Sequence, residues 1–140
     1  MKQLLLDANI LLDVLAKRDP YYREAVELFN MGLAGKVQLS VSALSLVNIH
    51  YILKRQLKEQ GVRAVLTDLS QFIRVLPLEA SICERSLPSE IKDFEDAIQC
   101  FTAQGFDQDM IVTRNLKDFK KCLVPVMTAG EVVGVLKESD

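Results

Sequence analysis

Residues 2–13 read KQLLLDANILLD, and the order of residue types in this stretch sets the fold. The apolar run Leu4-Leu5-Leu6 has the composition of a buried strand and stops on a carboxylate at Asp7. Asn9 and Asp13 follow closely, while Ile10, Leu11, Val14 and Leu15 at once begin a helical stripe. An aspartate at the carboxyl end of a buried strand either caps the next helix or is held out into a site. The residues farther along the chain decide between the two.

Asp19-Pro20 predicts a second helix, with Ala25, Leu28, Phe29 and Leu33 as its stripe and Gly35 as its stop. Val37 to Val41 alternates as a strand. Ser42 to about Glu59 is helical, Gly61 ends that helix, and a further one runs to Ser70. Phe72 to Leu78 is β-branched and apolar enough for a strand, and Glu79 to Ser86 predicts a short helix. Asp93 to Gln104 carries Phe94, Ala97, Ile98 and Phe101 at helical spacing and is closed by Gly105. Met110 to Thr113 and Leu123 to Val126 are the last strands, and Ala129 to Leu136 a terminal helix. Strands alternating with helices imply an α/β fold with a mostly parallel sheet covered on both faces. Ligands of such sheets bind beyond the carboxyl ends of the strands.

At 140 residues and 49% hydrophobic, the chain suffices for one buried core, and a single domain over 1–140 is expected. Neither a long apolar run nor a charged-then-apolar leader is visible, so a cytoplasmic protein with no membrane association is expected. Cys83, Cys100 and Cys122 are far apart and accompanied by one histidine, His50, which argues against a zinc site and a disulfide framework. They read as buried, reduced thiols. A net charge of −2 supplies no overall basic field for nucleic acid. Two local clusters exist: Lys54, Arg55, Lys58 and Arg63, and then Arg114, Lys117, Lys120 and Lys121. The first reads as a solvated helix face, whereas the second adjoins candidate site residues.

Asp7 after the first strand, and Asn115 and Asp118 after the strand ending at Thr113, fall on one edge of the sheet. Asp93, Glu95 and Asp96 open the helix leading into that same strand, and Asn48 lies on the helix after the second. Converging carboxylates repel unless a cation or shared protons neutralise them. Hard oxygen ligands without histidine or cysteine suit Mg²⁺ or Mn²⁺, whose chemistry at such a site is phosphoryl transfer. Each acid also has a plainer reading: Asp7 as a helix cap, Asp93 with Asp96 as a capping pair, Asn115 and Asp118 as turn residues, and Asp13 as a structural residue, solvent-facing or locally hydrogen-bonded. His50 reads as a partly buried, hydrogen-bonded side chain. No glycine-rich phosphate loop is present in the sequence.

Four stretches taken together, LLLDANILLDVLAKRDPYYREA, VSALSLVNIHYIL, DFEDAIQCFTA and MIVTRNLKDF, resemble the successive motifs of the PIN domain family, in the group of VapC-like toxin ribonucleases. The resemblance spans nearly the whole chain. It implies a three-layer α/β/α sandwich with a mostly parallel central sheet of about five strands. It further implies Mg²⁺- or Mn²⁺-dependent RNA cleavage, an antitoxin protein as partner, and a homodimer. Carried over by position, Asp7 is the family's first acid and Asn9 its polar neighbour, Asp96 is the third acid, and Thr113, Arg114, Asn115 and Asp118 fall in the closing motif. Asp118 is favoured over Asn115 for the fourth acid because it is charged. The second acid, usually glutamate, is replaced by Asn48, which can ligate a metal but brings no charge. Glu95 or Asp93 offers a partial replacement.

A ribonuclease toxin is therefore the leading expectation, with a non-cleaving PIN fold that binds RNA or protein as the alternative. A phosphoacceptor signalling domain is disfavoured, since the first strand offers a single acid and the third ends on Leu76-Pro77-Leu78. Tyr21, Tyr22 and Phe29 offer apolar surface for a symmetric partner.

Overall fold

The computed structural model describes residues 1–138. Leu4, Leu5 and Leu6 are buried to within 1% and form the middle strand, as their composition predicts. In chain order the elements are β1 (Lys2–Leu6), α1 (Ala8–Leu15), α2 (Tyr22–Leu33), β2 (Val37–Ser42), α3 (Ala43–Leu53), α4 (Glu59–Leu69) and β3 (Ile73–Leu76). There follow α5 (Ala80–Ser86), α6 (Phe94–Gly105), β4 (Met110–Val112), a 3-10 turn (Leu116–Phe119), β5 (Val126–Met127) and α7 (Ala129–Glu138). The five strands run in the order β3-β2-β1-β4-β5, and all neighbouring pairs are parallel.

The two-residue period of β1 assigns its side chains to the two faces of the sheet. Leu4 and Leu6 join the larger core with Leu11 of α1, Leu28 of α2, Val62 of α4 and Val132 of α7. Leu5 joins the other with Ala103 of α6 and Ile111, Phe119 and Val124. These layers make the α/β/α sandwich. The chain leaves β1 to build β2 and β3 on one side and returns to build β4 and β5 on the other, so the strand order reverses at β1. At such a reversal the connections after the two central strands diverge and leave a crevice.

Several boundaries differ from the sequence expectation. The helix expected to run to about Glu59 ends at Leu53, and Gly61 lies inside α4. The intervening residues 54–58 are exposed and bring too little apolar surface to hold another turn against the core. The last strand is Val126–Met127 and not Leu123 to Val126: Leu123 is 86% exposed and Pro125 has no amide to donate, although its carbonyl accepts from Ile111 N at 2.9 Å. Phe29, expected on the surface, is 5% exposed and meets Phe72 edge-on at 5.9 Å, so it is not available to a partner.

The cysteine reading also needs correction. Cys100 of α6 and Cys122 after the 3-10 turn form a disulfide with Cα atoms 5.8 Å apart, leaving Cys83 free. A separation of 22 residues, with no motif around either sulfur, hid a pairing that exists only because α6 packs beside the returning segment.

Gly32 of α2 packs directly against β2. A Cβ there would stand 2.6 Å from Cδ1 of Leu39, a fully buried residue of β2. Gly32→Ala should therefore lower stability by about 1–3 kcal/mol despite alanine's better helix propensity. Gly130→Ala would meet the carboxylate end of the exposed Glu24 side chain, at 2.7 Å, and should be nearly neutral. Urea denaturation of both variants checks the pair; equal midpoints would contradict the packing described.

Candidate active site at the carboxyl edge of the sheet

Asp7 caps the next helix and also lines a cavity. Its backbone is extended (φ −66°, ψ 150°), and its Oδ1 accepts the Ala8 amide at 2.8 Å, capping α1. Its Oδ2 accepts the Thr113 hydroxyl at 2.8 Å, and its own amide donates to Val112 O at 2.9 Å. Thr113 is fully buried at the end of β4, and its oxygen in turn accepts the Asn115 amide at 3.0 Å. The carboxylate is thus fixed at the reversal point between β1 and β4. Burial raises its pKa, the Thr113 and Ala8 hydrogen bonds oppose that rise, Asp118 adds to it and Arg114 subtracts.

Asp93 caps α6 by accepting the Asp96 amide at 3.0 Å. That bond orients the first helical turn, in which Asp96 faces the crevice. Burial first, and then the negative charges of Asp93, Asp7, Asp118 and Glu95, push the Asp96 pKa up to about 7. Asn48 of α3 donates its amide to Glu95 Oε2 at 3.3 Å. The residue lacking charge is therefore paired with a neighbouring acid.

Asp7, Asn9, Asn48, Asp93, Glu95, Asp96 and Asn115 line one cavity of about 380 Å³. Asp93 and Asp96 also line a second, of about 370 Å³, with Asp118, Lys92, Lys117, Lys120 and Lys121. Asn115 thus shares the cavity of Asp7, whereas Asp118 is an exposed residue of the adjoining one whose charge is felt at both Asp7 and Asp96. Among the described residues no three Asp, Glu, His or Cys side chains stand close enough to enclose a metal ion. The donor set nonetheless fits a hard divalent cation. It is all oxygen, its carboxylates raise one another's proton affinity, and Mg²⁺ keeps several waters while taking one or two carboxylates directly.

Asp13 is structural, as expected, but its partner is distant in the chain and its surroundings are buried. It is 0% exposed, not on a solvent face, and accepts from Arg114 Nη2 at 3.1 Å. A second contact, Nε to Oδ2 at 3.0 Å, is an ion pair whose angle does not make a hydrogen bond. The guanidinium lies 3.9 Å from the centroid of the Tyr21 ring. Burial pushes the Asp13 pKa up and Arg114 pulls it down. The available signal was the place of Asp13 between Leu12 and Val14, inside an apolar stretch of α1. His50, as expected, is hydrogen-bonded: it meets Glu59 at 2.6 Å, and His50 with Arg63 lowers Glu59 to about 2.

Helices on both faces of a parallel sheet, with acids gathered at its carboxyl edge, are shared by several classes of protein, and the comparisons with known proteins distinguish among them. Residues 3–117 match the model of the PIN domain, and the chain belongs to the PIN domain family. Among solved structures it is similar to a toxin–antitoxin complex from Klebsiella pneumoniae, at 30% identity and TM-score 0.69 over 90% of this chain and 97% of that one. VapBC2 from Rickettsia felis bound to a promoter DNA fragment shares the fold at 19% identity and TM-score 0.67, covering 89% and 97%. So does the Sarcin-Ricin loop cleaving toxin VapC20 from Mycobacterium tuberculosis, at 17% and 0.61, covering 77% and 86%. No curated protein matches the chain. Among the described residues no helix is long and apolar enough to cross a membrane.

Two outcomes follow from this electrostatics. Because the folded-state pKa of Asp96 lies above its unfolded value, the folded protein binds more protons, and its stability falls as pH rises from about 4 to about 7. Asp96→Asn should therefore raise the melting temperature of the metal-free protein at pH 8 and leave it nearly unchanged at pH 4; a loss of stability at pH 8 would contradict the site described. Arg114→Met strands a buried carboxylate and should cost about 3–5 kcal/mol, part of which Asp13→Asn in the same chain restores. Denaturant titration of the single and double variants measures that coupling.

Proposed function

We propose that this PIN domain is a metal-dependent endoribonuclease and the toxin half of a toxin–antitoxin pair, acting on RNA in the cytoplasm. The observation that carries it is the convergence of Asp7 and Asp96, from distant parts of the chain, on one oxygen-lined cavity at the strand-order reversal. In this reading Asp7 and Asp96 would hold Mg²⁺ or Mn²⁺, with Asn9 and Asn115 as neutral oxygen donors beside them and Asp118 adding negative charge from the adjoining cavity. When bound, the ion supplies water activation and stabilisation of charge developing on the phosphate.

The chain's own residues do the rest. Thr113 and the Ala8 amide lock the Asp7 carboxylate before any ligand arrives, so little reorganisation remains for the bound state. Asp93 fixes the turn that presents Asp96. Asn48 holds Glu95 at the cavity wall, where its charge stands in for the glutamate usual at position 48. Lys92, Lys117, Lys120 and Lys121 supply local positive charge that the chain as a whole lacks. The solved relatives described as toxin–antitoxin complexes support an antitoxin protein as partner. A second copy of the chain is proposed as well, on surface other than Phe29.

The second reading is a PIN fold that binds RNA or protein without cutting, and Asn48 is the residue that favours it. One experiment separates the two. Asn48→Glu adds a carboxylate beside the ion and should strengthen Mn²⁺ binding about tenfold and raise RNA cleavage. Asp7→Asn should abolish both. Equal Mn²⁺ affinity by calorimetry for the wild type and both variants would remove the metal site. Tight Mn²⁺ binding with no cleavage of any RNA by wild type or Asn48→Glu would establish the non-cleaving reading instead.

A further inference from the structure

Tyr51 is the one aromatic side chain that lines the cavity of Asp7 and Asp96 among the described residues, and it is 64% exposed. It sits on α3, three residues beyond Asn48 and so on the same side of the helix. An exposed tyrosine here contributes little to the core. Arg55, one turn farther on, lies over its ring at 5.2 Å from the centroid and holds it from one side. Lys54 and Lys58 stand beside Arg55 in the chain, and both are exposed.

The cavity of Tyr51 and the lysine-lined cavity share Asp93 and Asp96. The two basic clusters of this weakly acidic chain are thus joined by the acids between them. A polyanion could not rest on the acids alone, but a strand crossing them would meet positive charge before and after. The two ends offer different chemistry. Lysines bind phosphate as point charges, whereas a tyrosine ring backed by a guanidinium presents a flat surface on which an unpaired base stacks.

Resting on the ribonuclease reading, we infer that Tyr51, backed by Arg55, is a stacking platform for an unpaired base next to the scissile phosphate. The strand then continues across Asp96 toward Lys117 and Lys120. The platform selects single-stranded or looped RNA, because a base paired in a duplex presents no free face.

The test is a double-substitution cycle in an Asp7→Asn background, which keeps the probe intact. Fluorescence anisotropy measures binding of a labelled, unstructured, mixed-sequence RNA and of a series in which each nucleotide in turn lacks its base. Tyr51→Ala should weaken binding roughly tenfold, Tyr51→Phe should not, and the melting temperature should stay unchanged because the ring is exposed. One abasic position should weaken binding by a similar factor with Tyr51 present and have no effect in Tyr51→Ala. Equal affinity of Tyr51 and Tyr51→Ala proteins overturns the platform alone, as does a loss that is the same for every abasic probe. If Tyr51→Ala instead abolishes self-association in sedimentation while RNA affinity is kept, the residue is a subunit contact and the inference fails. A protein that binds none of the probes with Tyr51 intact, and whose wild type cuts no RNA, overturns the ribonuclease reading and the platform with it.

Discussion

The carboxylate of Asp7 is committed to the fold before it is available to any ligand. One oxygen caps α1, the other takes the Thr113 hydroxyl, and the residue's own amide extends the β1–β4 pairing by one bond. These three bonds tie the first strand, the first helix and the fourth strand to a single residue. The geometry explains why a strand should end on an acid at all. An alanine there would lose the cap and leave the buried Thr113 hydroxyl without its acceptor, at a cost of about 1–3 kcal/mol for the second effect alone. Capping a helix and lining the cavity therefore fall to one residue, and the first does not exclude the second.

Much of this was legible because it rests on local pattern. The Leu4–Leu6 run, the stripe beginning at Ile10 and the helix led by Asp93 each carry their own period and cap, and all three appear close to where the residues predicted them. The sheet edge followed from topology, since parallel strands expose all their carboxyl ends together. What remained hidden depends on residues far apart in the chain. Asp13 and Arg114 are separated by 101 positions, and Cys100 and Cys122 belong to elements that touch only once the second layer has formed. A buried acid on an amphipathic helix looks polar until its partner is known. The boundaries of α3 and β5 were misplaced for a further reason: exposed segments such as 54–58 and Leu123 have no core contact to fix them, and propensity alone does not.

Arg114 ties the structural and chemical halves of the closing motif together. It lies between Thr113, which faces Asp7, and Asn115, which lines the cavity, yet its own side chain turns away to Asp13 and Tyr21. A turn anchored on its far side by a buried ion pair cannot drift without breaking that pair, and this holds Thr113 and Asn115 in place. Arginine also lowers the proton affinity of Asp7 across the same short distance. Lysine at this position would keep the charge but lose the planar contact with the Tyr21 ring.

The charge at the crevice is best understood as unfinished. Asp96 has its pKa pushed up to about 7 by burial and four neighbouring carboxylates, while Lys121 of the adjoining cavity is engaged at 3.5 Å by Glu90. Protons can relieve part of that repulsion near neutral pH, but a divalent cation relieves more, because it is attracted to every acid at once. Asn48 brings no charge to the crevice wall, and its amide hydrogen bond to Glu95 holds a carboxylate there from α6. The charge on this wall comes from the first turn of α6, which carries Glu95 and Asp96, whereas Asn48 stands at the middle of α3. Negative charge is thereby kept on this wall by the helix whose N-cap, Asp93, also fixes the turn that carries it.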